Sequence, residues 1–463
     1  MVSFENALDT AKSRIARWND FAGLDEVNLV RDAKGMISVY LVPQNHYTVA
    51  ENSVDVLKND LTINMGGFFS DTIFVKGAED WTKDLFDKIY ELRVEDQNPP
   101  SGANASVKWY VVERGIAKKA WIQCCQKERA AWPYGDTLPE ASEVLPKIVT
   151  FFSYKGGMGR TTALTAVALE LLRRKKNVLM LDTDLEAPGL STFFFPVDDA
   201  GYIRKGTVDY LQEKSMNPNT PVNMSDYIIP LTSPVYMESD MGNLYLVSGG
   251  KLNDEFLLKL ARIDSQELVG ENLKKNLVQL LKDCCKALKG SGGIDYILID
   301  SRAGFHDMAG VVTAQIPHGI VLFGKDSFQS WFGIQQAVRT IATSQADKPF
   351  AIMVDSACGV NGIVSEEEKE RFRQKSYEVF CAEYYDNDMQ PGIWASREAH
   401  DPVFVRYTSA LSGDIPLYDE NRAEDLKTQL SDQPYREIAE RIMERFGETQ
   451  EGDAENSGQD SFA

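Results

Sequence analysis

The stretch SYKGGMGRTTAL, residues 153–164, gathers the residue types that phosphate binding needs. Gly156, Gly157 and Gly159 let the chain turn tightly and aim backbone N–H groups at an anion, and a helix starting just beyond them adds the positive end of its dipole. Met158 and Thr162 belong to the same nucleotide-binding loop, and the hydroxyl of Thr161 falls where it reaches a bound Mg2+. One letter is unusual. A loop of the G-x-x-x-x-G-K-[ST] type closes Gly-Lys-Thr, whereas this one closes Gly159-Arg160-Thr161 and carries an additional Lys155 near its start. Arginine keeps the charge but offers a planar fork instead of a compact ammonium.

Three acidic residues follow downstream. Asp182 ends the apolar run NVLMLD, Asp184 stands two positions later, and Asp300 ends DYILID. A carboxylate at 184 can orient or polarise an attacking water, while Asp300, with Asp182 beside the phosphate loop, would hold Mg2+ directly or through water. A lone Asp at a strand end is commonly a cap or a turn former. Three in this order behind a glycine loop point to metal-assisted phosphate chemistry.

Periodicity indicates the elements that must position these residues. Apolar runs at 147–153, 177–182, 244–248, 295–300, 319–323 and 350–355 read as buried strands, with helical stretches between them, the first over about 160–174. Such alternation predicts an α/β fold: a mostly parallel twisted sheet with helices on both faces and its ligand at the strands' carboxyl ends. Residues 1–130 read as a separate, smaller α+β domain. Phe4, Ala7, Leu8, Ala11, Ile15 and Trp18 fall at helical spacing, Val27 and Leu29 alternate with Ile37, Val39 and Leu41 around a turn at 32–35, and a helix at Trp81–Leu92 precedes a strand at 108–114. The Pro- and Gly-bearing segment 131–146 reads as a linker, 147–446 as the nucleotide-binding domain, and 447–463, with five acids and no base, as a disordered tail. Just before that tail, SDQPYREIAERIMERFG is a capped helix with Tyr435, Ile438, Ile442 and Phe446 on one stripe.

KGGMGRTT (155–162) resembles the deviant phosphate loop K-G-G-x-G-K-T-T of the ParA/MinD/ArsA-type ATPases, matching every fixed position except Arg160. VLMLDTDLEAPGL (178–190) is similar to the family's second-strand motif, and YILIDSRAGF (296–305) to its strand-plus-Asp motif ending in a glycine switch. The resemblance implies a P-loop NTPase that binds ATP and Mg2+, hydrolyses slowly, and closes as an ATP-dependent homodimer. By the same resemblance, Lys155 reaches the partner subunit's phosphates and position 160 bridges the β- and γ-phosphates. The Gly-Arg variant of the loop also resembles a bacterial branch linked to conflict and antiviral defence, in which arginine at 160 is ordinary. Asp355, in IMVDSA, stands where the family has an asparagine that reads adenine. A carboxylate accepts from the adenine amino group and also suits the two donors of guanine, so ATP is favoured by family and GTP stays open.

Composition narrows the partners. The 463 residues carry 49 Lys and Arg against 69 Asp and Glu, a net charge of -20, which disfavours prolonged contact with nucleic acid or anionic lipid. The only dense basic run, RRKK at 173–176, sits where a helix carboxyl end favours positive charge, so a DNA-positioning role is the weaker alternative. Cys124, Cys125, Cys284, Cys285, Cys358 and Cys381 show no metal-ligand spacing and read as reduced thiols. No cysteine lies between 286 and 357, against a cluster-bridging reductase, and no tyrosine follows Tyr435, against a tail-phosphorylating tyrosine kinase. With no signal peptide and no long apolar run, a cytoplasmic protein without membrane contact is expected. The N-terminal domain, free of catalytic constellations, is the expected sensor or protein-partner module. A scaffold that binds nucleotide without turnover is the remaining alternative.

Overall fold

The computed structural model describes residues 2–77, 82–96, 98–100, 106–114, 121, 146–196, 201–263, 271–342, 348–359 and 363–448. The chain divides into two compact units, Met1–Ile116 and Ala117–Ala463. The expected linker therefore lies, except for Pro146, outside the described residues, as does the tail beyond Glu448. Glu448 itself is held: its carboxylate accepts from the Tyr296 hydroxyl at 3.0 Å and pairs with Lys147 and Lys176.

The first unit is a five-stranded sheet in the order β3-β2-β1-β5-β4, formed by β1 Leu24–Arg31, β2 Ile37–Pro43, β3 Phe69–Val75, β4 Val94–Glu95 and β5 Lys108–Glu113. β1 and β2 form the antiparallel pair read from the sequence, and Gly35 at φ +87° closes their turn. Strand alternation sends Val27, Leu29, Val39 and Leu41 to one face, against the helices Ala7–Ile15 and Glu51–Met65. Val30, Tyr40 and Val112 face the other way, against Phe86 and Ile89 of the helix Thr82–Leu92. The helix Glu51–Met65 and β3 were not anticipated. That helix buries only Leu57, Leu61 and Met65, a narrow stripe in a polar segment.

The second unit is an eight-stranded sheet in the order β13-β12-β11-β6-β10-β7-β9-β8. Its strands are β6 Lys147–Ser153, β7 Val178–Asp182, β8 Ile229–Leu231, β9 Leu244–Val247, β10 Tyr296–Asp300, β11 Gly319–Gly324, β12 Phe350–Cys358 and β13 Val403–Arg406. Every pairing is parallel except that of β8 with β9. This is the α/β architecture expected, with two unanticipated edge strands, β8, which holds Pro230, and β13, which Pro402 directly precedes. Val149, Phe151, Val178, Met180, Tyr296 and Leu298 pack on one face beneath the helices Arg160–Arg173 and Gln433–Arg445. Ile148, Leu179, Leu181, Ile297 and Ile299 pack on the other, against the helices Thr207–Met216 and Glu271–Leu288. The register aligns Asp300 of β10 with Asp182 of β7 and with Phe151 of β6, so both acids and the glycine loop emerge along one sheet edge.

Candidate nucleotide site

β6 ends at Ser153, whose hydroxyl donates to the Lys155 carbonyl at 2.6 Å and starts the turn. Gly157 and Gly159 adopt φ of +71° and +70°, left-handed backbone that a side chain would strain. A Cβ built at Gly156, Gly157 or Gly159 meets nothing within 4 Å, so the loop borders open space. The helix Arg160–Arg173 begins there with no side-chain cap, leaving its first N–H groups to whatever occupies that space. Lys155 and Thr162 are half-buried. Met158 is buried, and its carbonyl accepts from the Ser356 hydroxyl at the end of β12, which ties the loop to the far half of the sheet.

Beneath the loop lies a concentrated charge cluster. The Thr161 hydroxyl donates to Asp300 Oδ2 at 2.6 Å, while Asp300 Oδ1 is buried with no partner among the described residues. Arg160, 7% exposed, extends Nη2 to Asp184 Oδ2 at 3.1 Å, while its Nη1 is buried and likewise unpartnered. Burial raises the Asp300 carboxyl to about 6, although Arg160 and the Thr161 hydrogen bond pull it down. Asp184 is also raised, by burial against the opposing pull of Arg160 and Arg302. Asp182 is wholly buried and pushed well above the ordinary carboxylate range, first by burial and then by the Asp300 charge. Both of its oxygens are engaged, Oδ1 by the Asp184 N–H at 3.1 Å and Oδ2 by the Leu190 N–H at 3.2 Å. Asp182, expected among the metal ligands, here shapes the loop that carries Asp184.

The loops after Asp182 and Asp300 are linked. Thr183 donates both its N–H and its hydroxyl to the Asp300 carbonyl, at 3.0 and 2.7 Å. Farther out, Arg302 pairs with Glu186, and His306 Nδ1 lies 3.8 Å from the same carboxylate. Gly304 N–H donates to the Ser153 carbonyl at 3.1 Å, fastening the second loop to the base of the glycine loop. Asp355 stands apart on β12, paired in register with Gly324. Burial, with the nearby Asp326 charge, raises its carboxyl to about 7, while Lys325 and Arg371 oppose the rise.

The fold thus brings Arg160, Thr161, Asp182, Asp184 and Asp300 to one place at the strands' carboxyl ends. Lys155 borders it and forms no ion pair among the described residues. Sequence reasoning missed Glu186, Arg302 and Ser356. The first two lie inside the quoted motifs, but their pairing spans two loops and leaves no periodic trace. The RRKK run faces acids: Arg173 and Arg174 pair with Glu170, Arg174 also with Glu440, Lys175 with Asp240 and Lys176 with Glu448. Cys284, Cys285, Cys358 and Cys381 form no disulfide among the described residues, and Cys124 and Cys125 lie outside those residues. No helix among the described residues is long and apolar enough to cross a membrane. A cavity of about 370 Å3 lies away from the glycine loop, along edge strand β13, between Arg373, Arg406, Asp401 and Arg441.

No family model matches the chain. Among curated proteins, the cytosolic Fe-S cluster assembly factor CFD1 of Candida albicans is 28% identical over 170 residues, 37% of this chain. The match spans half of that relative's length. Among solved structures, pNOB8 ParA bound to nonspecific DNA is 14% identical, covering 66% of this chain and 100% of its own, at a TM-score of 0.44. MinD from Pyrococcus horikoshii with Mg-ADP is 17% identical, covering 65% and 98%, at 0.40.

Proposed function

We propose that this chain is a P-loop ATPase of the ParA/MinD/ArsA type, a switch that dimerises on ATP and reopens by slow hydrolysis. One observation carries the reading. At the helix start beneath the open glycine loop, a buried acceptor, Asp300 Oδ1, and a buried donor, Arg160 Nη1, both lack hydrogen-bond partners among the described residues. An unmatched acceptor fits a cation and an unmatched donor fits an anion, and a Mg2+-bound phosphate chain brings both.

Thr161 and Asp300 would hold Mg2+, which when bound neutralises charge on the phosphate oxygens. The N–H groups of residues 156–162 bind phosphate oxygens through the loop and the uncapped helix start. Arg160 supplies charge-assisted hydrogen bonds from Nη1. Asp184 orients an attacking water and is itself kept in place by the amide contacts of Asp182. Lys155, without an ion pair among the described residues, is available to a second copy. Asp355 contacts the base. A protein partner acting through the first unit, and the defence context, rest on the sequence resemblance alone.

The Arg160–Asp184 ion pair favours a second reading, a nucleotide-binding scaffold, because each group satisfies the other where turnover needs both. Calorimetric titration of ATP with Mg2+ and with EDTA, alongside phosphate release and mass by light scattering, separates the readings. Mg2+-dependent binding with turnover and a doubled mass supports the switch, and binding without turnover supports the scaffold. No binding under either condition refutes both.

A further inference from the structure

The loop directly after Asp300, residues 301–306, is held from a direction that the phosphate chemistry does not require. Trp121 is 4% exposed, and its indole N–H donates to the His306 carbonyl at 2.7 Å, across 185 residues of sequence. Its ring packs edge-on against Phe305 at 4.9 Å and tilted against Phe152 of β6 at 5.4 Å. Phe305 in turn packs on Tyr154, the first residue of the glycine loop, at 4.9 Å. The contacts therefore run from Trp121 through the end of the 301–306 loop to the phosphate loop. The imidazole of His306 faces Glu186, which pairs with Arg302, and the Arg302 charge acts on Asp184. Trp121 lies in the second unit, five positions beyond Ile116, where the first unit ends.

We propose that Trp121 is a positioning residue of the nucleotide site: through Phe305 and the His306 carbonyl it fixes the loop after Asp300 and so bears on the hydrolytic centre. The catalytic half of this statement rests on the ATPase reading; the loop-holding half does not. A residue that only filled the core would need neither a hydrogen bond to the loop backbone nor a ring shared with the phosphate-loop tyrosine. Losing one such hydrogen bond corresponds to roughly a two- to tenfold change in a local opening equilibrium, and losing the ring packing adds to it.

The test uses the full chain as wild type, Trp121→Phe and Trp121→Ala, with ADP and ATP plus Mg2+ as probes. Amide hydrogen exchange without nucleotide is expected to quicken about tenfold in residues 301–306 of Trp121→Ala and less in Trp121→Phe, while β10 and the helix Arg160–Arg173 keep their protection. Turnover number is expected to fall in the same order at unchanged ADP affinity. Unchanged exchange in 301–306, or an equal increase across the whole sheet, would overturn the proposal and leave Trp121 as core filling. Should wild type fail to bind ATP, the ATPase reading falls, while the exchange comparison still decides whether Trp121 holds the loop.

Discussion

Asp355 offers a direct check on the electrostatics of the sheet's second half. Its carboxyl is raised from an ordinary 3.8 to about 7, chiefly by burial and then by Asp326. Between those values the folded protein retains a proton that the unfolded chain has released, so stability falls as pH rises through that window and is level on either side. At about 1.4 kcal/mol per pH unit, the full effect is roughly 4 kcal/mol. Asp355→Asn removes the ionisation and keeps the shape. The variant should match wild type near pH 4, gain steadily through pH 5 and 6, and exceed it by up to roughly 4 kcal/mol at pH 8. Urea unfolding of both proteins at each pH measures this, because subtracting the curves cancels the other titrating groups. A difference that is flat with pH, or that shrinks as pH rises, refutes the reasoning. If Asp355 contacts the base as proposed, the same chemistry acts there: a neutral acid offers one donor and one acceptor, as an amide does, whereas the ionised form only accepts. Fluorescent ATP should therefore bind wild type and variant alike at pH 6, and the variant more tightly at pH 8.

Arg160→Ala should weaken ATP binding by about 1.5 to 3 kcal/mol, and Arg160→Lys should lower phosphate release despite its charge; unchanged affinity in the alanine variant removes Arg160 from the site. Asp184→Ala should keep nucleotide binding while single-turnover hydrolysis slows, and hydrolysis at the wild-type rate would exclude this carboxylate. Lys155→Ala should bind ATP yet stay monomeric in light scattering, an idea that equal masses for variant and wild type under saturating ATP would end. Removing residues 1–116 should leave a cooperative thermal transition, whereas removing 1–130 also deletes Trp121 and should cost about 3 to 5 kcal/mol more, read as a lower midpoint; identical midpoints would show that the indole contributes no packing.

Much of the site is legible in the sequence because its parts are local. Strand, glycine turn and helix follow one another within 147–173, and the positive φ that Gly157 and Gly159 adopt is a demand their own residue type announces. Asp182, Asp184 and Asp300 are likewise marked by the apolar runs they end or follow. β8 and β13 leave no such mark, since Pro230 stands at the centre of β8, where proline argues against a strand, and Pro402 directly precedes the four residues of β13.

Residue types and their order therefore determined the α/β class, the glycine loop and the set of charges available to it. Only the tertiary structure decided how those charges pair. Parallel register sets Asp300 beside Asp182, and it brings Thr161 to Asp300 across 139 positions and Ser356 to Met158 across 198. It also turns the Arg160 fork to Asp184 and raises Asp355 to about 7. The physical reason is that backbone preference acts over a few residues and is written locally. Desolvation and ion pairing depend on which distant segments exclude water from the same few ångströms, and no single stretch of chain carries that information.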